Sequence, residues 1–271
     1  HYPPFEQKNL WFRQRQRRRK FSPQNKTQHH DFMLIFNPRS MTSNNVGKGI
    51  AEFVGTFFLT LTIFLVAVSG TAAVTADGVI TANYAPLAIG LTLMVMIYAL
   101  GHVSGAHFNP AVSIGLFVKG DCSKDELPYY LTGQLLAGVL AFFVGSELVL
   151  NGAEAAAITA ATFPSTIAVL SAEALWTFAL MFVIINVATE QAGNQFYGAA
   201  IGLTVMAGAV TVGSISLGSF NPAVTAMLTV SGKLAVADIW MHIVPQLLGA
   251  AGAVYTHKAM QGGAEAETPA E

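Results

Sequence analysis

Residues 46 to 257 run through six apolar stretches, each long enough to cross a bilayer, at roughly 48–70, 84–101, 126–150, 165–188, 196–213 and 234–257. Hydrocarbon offers no partner to a bare N–H or C=O, so a spanning segment must be a helix or part of a closed barrel. A barrel strand needs only about 10 residues, whereas a helix needs about 20, and runs of this length fit helices. Only 11% of the chain is charged and 53% is hydrophobic, against about 25% charged in a soluble domain. The fold class expected is therefore an all-α membrane protein.

Inside this frame one short stretch occurs twice. Phe108-Asn109-Pro110-Ala111-Val112 returns as Phe220-Asn221-Pro222-Ala223-Val224, each copy after a run of small residues. Proline is well placed just inside a helix start, where its missing N–H would have had no partner, and the asparagine before it can cap that helix. The helices that follow, about 111–118 and 223–230, are too short to span. A pair of short helices in corresponding halves of an apolar chain points to a site at the membrane midplane.

The halves repeat well beyond the motif. At an offset of 112, Ala88-Ile89-Gly90-Leu91-Thr92 matches Ala200-Ile201-Gly202-Leu203-Thr204, and Gln134-Leu135-Leu136 matches Gln246-Leu247-Leu248. At an offset of 121, Ala51-Glu52 matches Ala172-Glu173 and Thr56-Phe57 matches Thr177-Phe178. The chain is a tandem duplication, with halves at about 46–150 and 165–258. Three spans per half is an odd number, so the second half sits inverted. The expected fold is thus six transmembrane helices plus two membrane half-helices in an inverted repeat over residues 46–258.

Charge sets the orientation. Nine of the 14 Lys and Arg lie before Met41, and after Arg39 there is no arginine. Lys48, Lys119, Lys124 and Lys258 fall on one side of the topology and only Lys233 on the other, so the positive-inside rule places both termini in the cytoplasm. Residues 1–45 read as a basic, disordered arm and 259–271 as a disordered acidic tail. The run from Arg13 to Lys20 suits anionic lipid or nucleic acid, but a solvated arm with no nucleic-acid partner is the stronger reading. Met41 opens a plausible start of its own. The single cysteine, Cys122, excludes a disulfide framework and a multi-cysteine metal site. With no nucleophile constellation, metal cluster or phosphate loop, neither an enzyme nor a cofactor is expected.

Two Asn-Pro-Ala motifs on half-helices in an inverted repeat resemble the major intrinsic protein family of aquaporins and glycerol facilitators. Gly101-His102-Val103-Ser104-Gly105-Ala106-His107-Phe108-Asn109-Pro110-Ala111-Val112 is similar to the family's first motif almost throughout. The resemblance implies a passive channel for water and small neutral solutes, assembled as a homotetramer with one pore per subunit, and the free lysines near the cytoplasmic face suit a plasma membrane. It places Asn109, Pro110, Ala111, Asn221, Pro222 and Ala223 at the pore centre. Two half-helix N-termini, each worth about half a positive elementary charge, would meet there, where a cation is most expensive to desolvate. Asn109 and Asn221 can each donate a side-chain N–H to a passing water, orienting it and breaking a proton wire.

Glu52 and Glu173 lie inside spans at matching repeat positions, and an intramembrane carboxylate is a functional hypothesis by default. Proton-coupled transport would use such groups. The resemblance implies instead that each supports a half-helix by accepting hydrogen bonds from the irregular backbone before it. His107 is counted with that support, offering its backbone carbonyl to the pore or packing as a side chain. The sequence departs from the family at the narrowest constriction, where an arginine usually follows the second Asn-Pro-Ala and this chain has Val224. Counting from the motifs, Ile89, Ala209 and Gly218 complete that filter. It is small and apolar, so the opening is expected to be wider than in strict water channels and its barrier to cations weaker. Two other outcomes stay open. One is a facilitator mainly for glycerol, urea, ammonia, hydrogen peroxide or a metalloid hydroxide, although Thr225 stands where glycerol facilitators carry Asp. The other is a closed-pore structural membrane protein.

Overall fold

Asn44 opens the first helix by accepting the Gly47 N–H at 2.8 Å, and Ser165, 121 residues later, opens the first helix of the second half by accepting from Ala168 at 3.0 Å. Each side chain satisfies one of the orphan donors at a helix start. In the computed structural model, which describes residues 44–69, 73–76, 79–152, 158–191 and 193–265, the elements follow the duplicated pattern. The first half holds α1 (Asn45–Ile63), a hairpin of β1 (Ala73–Ala76) and β2 (Val79–Asn83), α2 (Ala85–Ser104), the half-helix α3 (Pro110–Lys119) and α4 (Leu127–Phe143). The second holds α5 (Thr166–Ile184), α6 (Tyr197–Ser216), the half-helix α7 (Pro222–Val230) and α8 (Trp240–Glu265). The arm at 1–43 and the end of the tail at 266–271 lie outside the described residues.

Five of the six expected spans are long and apolar enough to cross a membrane: Asn45–Val68, Ala85–Ser104, Leu127–Val149, Thr166–Thr189 and Tyr197–Ser216. The sixth, α8, has length to spare at 26 residues. Its average hydropathy is diluted by His242, Gln246 and His257, all buried. It also continues to Glu265, past the boundary at 258 expected for a disordered tail. The spans begun by α1, α4 and α5 each end in a wider turn, at Phe64–Val68, Val144–Val149 and Ile185–Thr189, where an N–H reaches back five residues, as from Ser69 to Phe64 and from Glu190 to Ile185. The antiparallel hairpin, with Ala73 opposite Asn83 and Val74 opposite Ala82, occupies the connection between the first two spans. No period-2 argument pointed to it, and it leaves the helical class of the membrane segments unchanged.

Helices approach closely at several points where a side chain is missing. Gly90 on α2 and Gly202 on α6 are repeat mates. A Cβ on Gly90 would lie 2.7 Å from the Gly202 carbonyl oxygen, and one on Gly202 would lie 2.5 Å from that of Gly90. The halves therefore meet backbone to backbone at equivalent points, the close packing that small residues permit in membranes. Gly133 on α4 meets the Gly49 carbonyl in the same way, and Gly249 on α8 meets that of Ala174.

Gly138 carries the contact from α4 to the half-helix of the other repeat, where a Cβ would sit 2.3 Å from the Ala223 carbonyl oxygen. Gly138→Val is expected to push α7 out of place, at an overpacking cost of about 1–3 kcal/mol or more. Its unfolding midpoint in detergent should fall well below that of wild type, while Gly213→Ala, where a Cβ meets nothing within 4 Å, should not lower it.

Candidate functional site

The backbone before each half-helix takes a conformation that L-residues avoid. Ala106 and Phe108 have φ of 55° and 49°, and Leu217 and Phe220 have φ of 66° and 51°. Left-handed φ costs a non-glycine residue roughly 1–2 kcal/mol, so both turns need outside support. A buried carboxylate supplies it in each half. Glu52 accepts from Ser104 Oγ at 2.6 Å, His107 N at 2.9 Å, Phe108 N at 2.6 Å and Gln134 Nε2 at 2.8 Å. Glu173 accepts from Ser216 Oγ at 2.7 Å, Ser219 N at 3.1 Å, Phe220 N at 2.8 Å and Gln246 Nε2 at 2.8 Å. Both carboxylates are fully buried, and four donors each is the complement that a buried acceptor requires. Packing completes the turns: the Phe108 ring fills the space where a Cβ on Gly55 would stand, and Phe220 does the same over Gly208.

Gln134 and Gln246 extend each network to the half-helix itself, through Ser113 Oγ at 2.9 Å and Thr225 Oγ1 at 3.1 Å. The Tyr130 hydroxyl donates to the Ser104 carbonyl. His242, its repeat mate, lies 2.8 Å through Nε2 from the Ser216 carbonyl. These supporting residues were not singled out from the sequence. The in-register repeat of Gln134 and Gln246, and of Ser104 and Ser216, was the available signal. Tyr130 and His242 have diverged and carry none. His107 contributes its backbone N–H, while its ring sits 3.0 Å from Ser113 Oγ through Nδ1 and stacks obliquely on Tyr130, with centroids 4.7 Å apart.

The two motifs meet. Asn109 accepts the Ala111 N–H at 2.9 Å and caps its half-helix, and Asn221 caps its own through Ala223 at 2.9 Å. Each side-chain amide then crosses to the other half: Asn109 Nδ2 donates to the Phe220 carbonyl and Asn221 Nδ2 to the Phe108 carbonyl, both at 2.8 Å. A side-chain amide has two N–H groups, so one is spent on joining the halves and one per asparagine is left. Both asparagines line a cavity of about 630 Å³.

All four residues counted into the filter line that same cavity: Ile89, Ala209, Gly218 and Val224. Of the polar residues near them, Ser214 and Ser219 join the wall. Ser216 is committed to Glu173, and Thr211 bonds the Ala207 carbonyl of its own helix. A second cavity of about 450 Å³ opens on the face that carries Lys48, Asp121 and Glu126. The two share Ala106, His107, Val112, Ile184 and Ile201 as walls, which mark the neck between them. On that second face Glu126 is bonded to Lys48, whose hydrogen bond holds the Glu126 carboxyl down at about 2. Lys119 bridges Asp121 and Glu190, both at 2.8 Å, and His257 reaches Glu190 at 3.2 Å.

Comparison with known proteins gives the same picture. The family described as "Major intrinsic protein" matches residues 39–210 and 186–270. Aquaporin NIP1-1 of Zea mays is 35% identical over 220 residues, covering 78% of this chain and 74% of that protein. Aquaporin NIP3-1 of Arabidopsis thaliana is 37% identical over 229 residues, covering 78% and 67%. The X-ray structure of the aquaglyceroporin from Plasmodium falciparum aligns with a TM-score of 0.63 at 21% identity, over 77% of this chain and 95% of that one, and so shares the fold. The chain belongs to the major intrinsic protein family and is a membrane channel for water and small neutral solutes.

Proposed function

We propose that this channel has a wide, apolar filter free of arginine, and that it passes solutes of the size of urea or glycerol as well as water. One observation carries the reading: Ile89, Ala209, Gly218 and Val224 share a single cavity with the asparagine pair, and none of them brings a charge or a large ring. Water is oriented by the free amide N–H of Asn109 and of Asn221, beside two half-helix N-termini whose dipoles oppose cations. Thr225 is fully buried and bonded to Ser219 and Gln246, so it serves the support network rather than the solute path. Glu52 and Glu173 act as supports, each facing four donors. The face bearing Lys48, Lys119 and Lys258 is cytoplasmic by the lysine distribution, the membrane is the plasma membrane, and the assembly is the homotetramer that the family implies.

Stopped-flow light scattering on proteoliposomes tests this under matched gradients of sucrose, glycerol and urea. The expected result is rapid shrinkage in all three, with re-swelling only in glycerol and urea. Shrinkage without re-swelling would confine the filter to water. No acceleration over empty vesicles would leave a closed-pore structural role.

A further inference from the structure

The missing arginine leaves the filter itself uncharged, yet the cavity around it is not. Lys233 lies in the connection after α7, where its backbone holds the loop before α5: the Ala161 N–H donates to the Lys233 carbonyl at 2.9 Å. Its residue forms part of the wall of the cavity that holds Val224 and the asparagine pair. Among the described residues of that wall it alone carries a formal charge, the other titratable group being His107 at the neck. No ion pair or side-chain hydrogen bond engages its ammonium among the described residues. The opposite cavity carries both signs instead, with Lys48, Asp121 and Glu126 in its wall, Lys48 paired to Glu126 and Asp121 to Lys119. A cleft with charge of one sign and low-dielectric walls focuses its field and changes local ion concentration by about 10–1000-fold.

We propose that Lys233 sets the sign of this outer cavity and acts as its charge filter, rejecting cations of solute size while admitting neutral, acceptor-rich solutes of the same shape. It takes over, from the vestibule wall, the cation-excluding role vacated at the constriction by Val224. This rests on the reading of the cavity as the outer half of the pore.

Two measurements on the full chain decide it. A cysteine reporter on the same wall, Ser214→Cys, is labelled with small thiosulfonates of opposite charge and read by mass spectrometry. Cys122 is a quiet background, since burial pushes its thiol up to about 11. The anionic reagent should react at least tenfold faster than the cationic one. That ratio should collapse when Lys233→Gln is added, invert with Lys233→Glu and survive Lys233→Arg. A ratio indifferent to these changes, or no labelling by either reagent, overturns the proposal. In proteoliposomes with a potassium clamp, guanidinium and urea then compare a cation with its neutral near-isostere. Lys233→Gln should raise guanidinium entry relative to urea at least tenfold, with water flux kept. Unchanged selectivity alongside a shifted labelling ratio refutes the filter role. Absence of both water and urea flux in wild type refutes the pore reading itself, and the charge filter with it.

Discussion

Glu52→Gln and Glu173→Gln are each expected to cost the protein its fold before they cost it any transport step. A glutamine in place of either carboxylate offers one acceptor oxygen and turns an NH2 group toward donors. At position 52 the pair of N–H groups from Phe108 and Gln134, or the pair from Ser104 and His107, would face that amide. Each donor buried without a partner costs about 1–3 kcal/mol. The left-handed turns at Phe108 and Phe220 then lose what holds them. Yield in mild detergent and the unfolding midpoint should drop sharply for either single variant. A Glu52→Gln protein that remains as stable as wild type, yet loses proton uptake driven by a solute gradient, would instead make the carboxylate a transport group.

Val224→Arg should close the channel to urea and glycerol while water still passes. The new guanidinium would enter the cavity wall that Val224 shares with Ile89 and Ala209, narrowing a passage now edged by small and apolar groups. Solute entry is expected to fall at least tenfold, which corresponds to about 1.4 kcal/mol on the barrier. Some stability should be lost too, because the charge is placed in the first turn of α7, where the helix dipole disfavours a cation by about 0.3–1 kcal/mol. Stopped-flow re-swelling reads the first effect and thermal unfolding the second. Unchanged solute entry with intact water flux would remove Val224 from the filter.

Much of this architecture was legible because the chain says everything twice. The duplication located the half-helices and matched Glu52 with Glu173 across an offset of 121, and the family resemblance let Ile89, Ala209 and Gly218 be counted from the motifs, all of which line one cavity. What escaped is what does not repeat or does not travel by spacing. Lys233 was legible only as the odd lysine of its face, since a loop residue has no register that would bring it to a cavity wall. Tyr130 and His242 answer the same carbonyl position with different chemistry. The hairpin at 73–83 sits between spans, where no apolar face dictates the local fold. Gln134 and Gln246 were visible as matched letters, but their reach to the carboxylates depends on α4 and α8 passing behind the half-helices, which is a fact of packing.

The exchange of amides between Asn109 and Asn221 also bears on how the protein is made. The carbonyl that Asn109 needs lies 111 residues downstream. At translation rates of about 5–20 residues per second, the first motif waits roughly 5–20 s for its partner. Through that interval the Asn109 amide has no Phe220 carbonyl to donate to. The seam between the two half-helices can therefore close only once the second motif has been made, and a chain that stalls after its first half leaves it open.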